Sequence, residues 1–184
     1  MKLIVLLSSC FLFLAACGHG GHHHHHKTPD VVKMDKSGNS FKSHHKRVFL
    51  GPQPTTEDLK AFKEKHNVTV VINLRTKGEL KGAPYTEADA KKIGLTYYNF
   101  PVEGFADKLD PKVMAQIEET FMKHHKNEEI LIHCSSGNRA AAWFAYHFAA
   151  THKDKPARAL MKAEGYGLTN SRLKKKTETL LNEI

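Results

Sequence analysis

A cysteine and an arginine with four residues between them carry the chemistry most readily read from this chain. They stand in Ile132-His133-Cys134-Ser135-Ser136-Gly137-Asn138-Arg139. An apolar run, Ile130-Leu131-Ile132, precedes them, and Ala140-Ala141-Ala142-Trp143-Phe144-Ala145-Tyr146 follows. That is the pattern of a buried strand, a tight polar loop and a helix. Backbone N–H groups of such a loop, joined by the free N–H groups of the helix start, form an anion site. Gly137 lets the loop curl where a Cβ would clash. Arg139 can grip an oxyanion with two parallel N–H bonds. The same positive field favours the thiolate of Cys134, a nucleophile. Ser135, Ser136, Gly137, Asn138 and Arg139 are thus the candidate phosphate-binding residues. A nucleophile inside an anion cradle points to attack on a phosphate ester or on a sulfur-containing anion. The plain alternative is a buried cysteine that ends a core strand, with Arg139 as an ordinary helix-start residue.

The surrounding elements must hold this loop at the edge of a sheet. Residues 68–74 are nearly continuous in apolar and β-branched side chains, as a central parallel strand requires. Shorter strands are expected at 47–50, 95–100 and 129–133. A helix begins at Thr55 or Thr56 and ends at His66-Asn67; a second covers 86–93, with Gly94 as its stop. Asp110-Pro111 starts a third, with Asp110 as N-cap and Val113, Met114, Ile117 and Phe121 on its apolar face. Residues 140–150 are apolar on nearly every side and predict a buried helix; two more follow at 156–164 and 171–182. The alternation implies an α/β fold of three layers, a mostly parallel central sheet with helices on both faces. Sites in such sheets lie beyond the C-terminal ends of the strands. The loops 75–79, 101–109 and 134–139 leave those ends and should converge. There His133 either orients the loop or is a satisfied core histidine, and Arg75 either lines the rim or pairs with Glu79.

The first 16 of the 184 residues read as a signal peptide: Lys2, then an apolar run from Leu3 to Leu14. The run is shorter than the ~20 residues that span a bilayer. Leu14-Ala15-Ala16-Cys17 resembles a bacterial lipobox, which implies lipidation of Cys17 and attachment to a membrane of the bacterial cell envelope, facing the periplasm or the exterior. Residues 17–46 read as a flexible tether, rich in Gly, His, Lys and Ser. His22, His23, His24, His25 and His26 within it could bind Zn, Ni or Cu weakly, although a solvated tether explains them as well. His44-His45 and His124-His125 are expected at the surface. Residues 47–184 then form one domain. The net charge is +9 with neutral histidines, but the lysines are scattered rather than interleaved with aromatics. Anionic substrates or membrane surfaces fit this charge, and nucleic acid does not. Once Cys10 leaves with the signal and Cys17 is lipidated, Cys134 is the one free thiol.

From Val48 to Leu181 the order of elements resembles the cysteine-dependent tyrosine and dual-specificity phosphatases, and in particular their bacterial beta-lactamase hydrolase-like branch. The similarity lies at Gly51-Pro52-Gln53-Pro54, at Val71-Ile72-Asn73-Leu74-Arg75, at Pro101-Val102, and most specifically from His133 to Ala140. It implies a dual-specificity-phosphatase-like fold with Cys134 as nucleophile, Arg139 as phosphate clamp and an acid from the loop after the third strand. Asp107 is the first choice for that acid and Glu103 the second, since Asp110 is better explained as a helix cap. Neither a cofactor nor a metal at the site is implied. The chain departs from the common pattern twice: four residues rather than five separate Cys134 from Arg139, and Ala140 stands where Ser or Thr often follows the arginine. Cys-Ser-Ser-Gly-Asn-Arg also resembles rhodaneses, which carry sulfur on the cysteine. The alternatives are therefore a sulfurtransferase or persulfide-handling protein, or a non-catalytic lipoprotein that binds anions or metals.

Overall fold

The structure, a computed structural model, describes residues 28–34, 36–104 and 106–184. Cys17, the histidines at 22–26 and the segment read as a signal peptide lie outside the described residues. The strands are β1 (Asp30–Lys33), β2 (Ser40–His44), β3 (Val48–Gly51), β4 (Val68–Asn73), β5 (Thr96–Asn99) and β6 (Glu129–His133). They form a sheet in the order β1-β2-β3-β6-β4-β5. Pairing is antiparallel from β1 to β3 and parallel from β3 to β5.

Two faces follow from the period of two along each strand. Val48, Leu50, Val70, Ile72, Ile130 and Ile132 point into one core. It is closed by α4 (Pro111–His124), α5 (Asn138–Ala150), α6 (Pro156–Gly165) and α7 (Ser171–Asn182). Phe49, Val71 and Leu131 point the other way, against α1 (Thr56–His66) and α3 (Glu87–Lys92). The sheet thus lies between two helical layers, as the alternation of elements predicts. Three of these helices start as their sequences dictate. Thr55 and Asp58 close a capping box at α1, Thr86 and Asp89 another at α3, and Asp110 caps α4 ahead of Pro111.

The segment read as a tether up to residue 46 is structured in its second half. β1 and β2 form a hairpin that adds two antiparallel strands to the sheet edge. Phe41 is fully buried, edge-on to Phe62 of α1 with ring centres 4.9 Å apart. Asp58 fastens the turn of the hairpin to α1, accepting from Ser37 Oγ at 2.8 Å and from Asn39 Nδ2 at 3.0 Å. Few apolar residues stand in this stretch, and lysines alternate with them, so composition masked a strand pattern. His44 and His124 are likewise not simple surface residues. His44 bonds to the Tyr166 hydroxyl at 2.5 Å, and His124 to Tyr98 at 3.0 Å and to Glu128. The region expected as a plain loop at 75–79 holds the short helix α2 (Lys77–Leu80), begun by a capping box between Thr76 and Glu79.

Strand register brings the site together. Gly51, His133, Asn73 and Asn99 stand side by side on one row, so the four parallel strands end level. Phe41 packs against that row: a Cβ on Gly51 would lie 2.2 Å from its ring. Truncating Phe41 to Ala should leave a cavity and cost about 3–5 kcal/mol of stability. Urea denaturation of the variant checks this; a loss below 1 kcal/mol would mean that the hairpin is only loosely attached.

Candidate active site

Cys134 directly follows β6 and is fully buried. Its N–H donates to the Gly51 carbonyl at 3.3 Å, and its Sγ accepts from the Gly137 N–H at 3.1 Å. Gly137 has φ +90°, and an added Cβ would stand 3.2 Å from the Gly51 carbonyl carbon. Both the conformation and the close approach require glycine there. Gly137 is also the N-cap of α5 and supplies no side-chain bond to it, so the first N–H groups of that helix have no capping side chain. An anion is the natural partner for such a helix start.

The loops expected to converge do so on Arg139, which is 7% exposed. Its Nη1 donates to Glu79 Oε2 at 2.7 Å, to the Val102 carbonyl at 2.9 Å and to the Leu74 carbonyl at 3.3 Å. Its Nη2 donates to Glu79 Oε1 at 2.6 Å and to Ser135 Oγ at 3.1 Å. One guanidinium therefore ties α2, the loop after β5 and the cysteine loop into a single body. The two-pronged grip expected for an oxyanion is made here with Glu79. The Arg139 hydrogen bonds hold the Glu79 carboxyl down to about 2, against an opposing push from partial burial. Sequence reasoning considered Glu79 only as a partner of Arg75. That pairing is present, with Arg75 Nε 4.0 Å from Glu79 Oε1 and a further bond to the Glu79 carbonyl, while Arg75 Nη1 donates to Gln53 Oε1 at 2.5 Å. The Thr76-x-x-Glu79 spacing does announce a helix start, but nothing local announces Arg139.

His133 is fully buried, and burial pushes its pKa to about 3, so the ring is neutral at working pH. The Tyr85 hydroxyl meets Nε2 at 2.5 Å, and Nδ1 lies 3.2 Å from the Cys134 carbonyl. Both readings of His133 thus have support: it is a satisfied core histidine, and it braces the residue that carries the thiol. Ser135 and Ser136 are exposed at the mouth of the loop. The Asn138 Oδ1 accepts from the Thr169 and Asn170 N–H groups at 2.8 Å each. Its Nδ2 donates to Ser136 Oγ at 3.5 Å, so the same side chain ties the loop to the segment before α7.

Asp107 and Glu103 are both exposed on the loop between β5 and α4. The loop reaches the site at Gly104, where an added Cβ would be 3.5 Å from Arg139 Cδ. Lys176 of α7 holds the loop from outside, donating to the Gly104 carbonyl at 3.3 Å and to the Ala106 carbonyl. Asp110 Oδ1 accepts from Lys112 N at 2.8 Å, as a helix cap does.

The pairing of Glu79 has a pH signature. Its folded pKa is depressed below the ordinary 4.5, so its contribution to stability is full above about pH 4.5 and is lost as the pH falls toward 2. Glu79→Gln should be less stable than the parent at pH 7, and the difference should shrink between pH 4.5 and 2. Thermal melts across that range test it; a difference that stays constant with pH would exclude the carboxylate as its source.

No family model matches the sequence, and no curated protein matches it. Solved structures do. A DUF442 protein from Shewanella putrefaciens CN-32 is 18% identical, with a TM-score of 0.63 over 78% of this chain and 87% of its own. PTPMT1 in complex with PI(5)P is 16% identical, with a TM-score of 0.63 over 75% of this chain and 92% of its own. TpbA from P. aeruginosa in complex with pTyr is 14% identical, with a TM-score of 0.58 over 78% and 83%. At these identities the likeness is one of fold, and the fold of this chain is that of the dual-specificity-phosphatase-like proteins.

Proposed function

We propose that the chain is a cysteine-dependent phosphatase that acts on phosphate monoesters. One observation carries the reading: the Cys134 thiol sits between the uncapped start of α5 and a guanidinium locked in place by Glu79. PTPMT1 and TpbA, which share the fold, hold phosphorylated ligands. The mechanism follows from the positions. Cys134 Sγ attacks phosphorus in line, forming the S–P bond as the P–O bond to the leaving group breaks. Charge on the equatorial oxygens is met by loop N–H groups and by Arg139, whose Nη2 would exchange Ser135 Oγ for a phosphoryl oxygen while Glu79 stays paired. Asp107 protonates the departing oxygen, and its carboxylate then activates the water that cleaves the S–P bond. The shorter ring of donors and the absence of a hydroxyl at Ala140 make slow turnover the expectation.

The proposal extends to location: lipidated Cys17 holds the domain at a membrane of the bacterial envelope. Stable anchoring takes more than one acyl chain. Cys17→Ser should therefore move the protein from the membrane fraction to the soluble fraction, and an unchanged partition would remove the anchor.

Rapid quench with labelled aryl phosphate should trap phosphate on Cys134, and Cys134→Ser should abolish turnover while keeping competition by vanadate measurable as binding. A gain of one sulfur atom after thiosulfate, with no phosphate adduct, would assign the loop to persulfide chemistry. Asp107→Asn should cut turnover by about 10²–10⁴. A near-normal rate in that variant, beside a slow Glu103→Gln, would move the acid role to Glu103.

A further inference from the structure

A second arrangement of reactive side chains lies at the far end of α5. His147, on the last turn of that helix, is buried; His152, just beyond it, is exposed. Their Nε2 atoms face each other at 3.3 Å. His147 is eight residues from Arg139, a helical rise of about 12 Å. The pair is therefore separate from the chemistry at Cys134.

We propose that His147 and His152 form a binding site for a late first-row divalent ion such as Zn²⁺, held by their two Nε2 atoms. Two features of the geometry support this. A zinc ion about 2.0–2.1 Å from each nitrogen, at a tetrahedral angle, separates the two nitrogens by about 3.3 Å. That is the separation present. Rings bound in this way would have centres about 5.2 Å apart, whereas a straight N–H···N hydrogen bond of the same length would put them about 5.6 Å apart. The centres stand 5.0 Å apart with the planes at 81°. The contact is thus bent, as two ligands of one ion would be, rather than straight.

The surroundings of His147 match those of a metal ligand. Its Nδ1 is 2.9 Å from Glu118 Oε1, which also accepts from Thr151 Oγ at 2.6 Å. A carboxylate on the second ring nitrogen fixes the proton there and leaves the Nε2 lone pair facing outward, as it does behind most metal-bound histidines. Lys162, the nearby cation, is occupied by Asp154 at 2.5 Å. Among the described residues no third His, Cys, Asp or Glu joins the pair, so water completes the coordination. Two imidazoles select zinc, nickel or copper over magnesium, which prefers oxygen ligands.

The test uses the full chain, freed of metal with a chelator, and reads the melting temperature as Zn²⁺ is added. The histidines at 22–26 would also take zinc, so the comparison is between proteins that all carry them. An ion that binds only the folded chain raises Tm. At ten times its dissociation constant the gain should be about 4 °C for a domain of this size. His152→Ala and His152→Gln, which alter an exposed side chain, should fold with the parent Tm and lose that gain, and Mg²⁺ should shift none of the three. Equal zinc shifts in parent and variants, or no shift in the parent, would overturn the site.

Discussion

The ion pair between Arg139 and Glu79 is the contact on which the rest of the site depends. A guanidinium this buried must be matched by charge and by hydrogen-bond acceptors, or its desolvation is uncompensated. Glu79 supplies the charge, and the Leu74 and Val102 carbonyls supply acceptors from two different strand ends. Each acceptor that meets this demand also removes a freedom. With Nη1 committed to three acceptors, Arg139 can rotate little, and the loop that carries Cys134 is held by the same residue.

The sheet makes that arrangement affordable. Four parallel strands end on one row, so three loops leave it at the same height and need only short spans to meet. α5 then leaves the site through a core of small side chains. Ala140, Ala141, Ala142 and Ala145 are all fully buried, which lets the helix lie close over β3 and β6. The hairpin of β1 and β2 adds weight at the other edge, where Phe41 covers Gly51 directly behind the cysteine loop.

The two ends of α5 are served differently. At its start, N–H groups without a capping side chain lie beside a guanidinium fixed by Glu79. At its end, an imidazole oriented by Glu118 faces a second imidazole in the open. The candidate acid loop contrasts with both. Its carboxylates at 103 and 107 are exposed, and Lys176 and Gly104 fix only its backbone.

The parallel strands, most of the helices and the strand–loop–helix run around Cys134 are legible in the sequence. Capping boxes at 55–58 and 86–89, Asp110-Pro111, and the strand–loop–helix run around Cys134 are local signals. Each works over three or four residues, because caps and backbone preferences act on immediate neighbours. The Thr76–Glu79 box is a signal of the same kind, yet it begins a helix of a single turn, too short to show any apolar period, and the segment reads as a loop. Tertiary structure alone decided which charge Arg139 meets, since Glu79 is 60 residues away and Arg75 stood nearer along the chain. It also decided that residues 30–44 join the sheet. Their few apolar side chains count only once Phe62 and Gly51 are there to receive them, and burial is a property of the assembled fold rather than of any one segment.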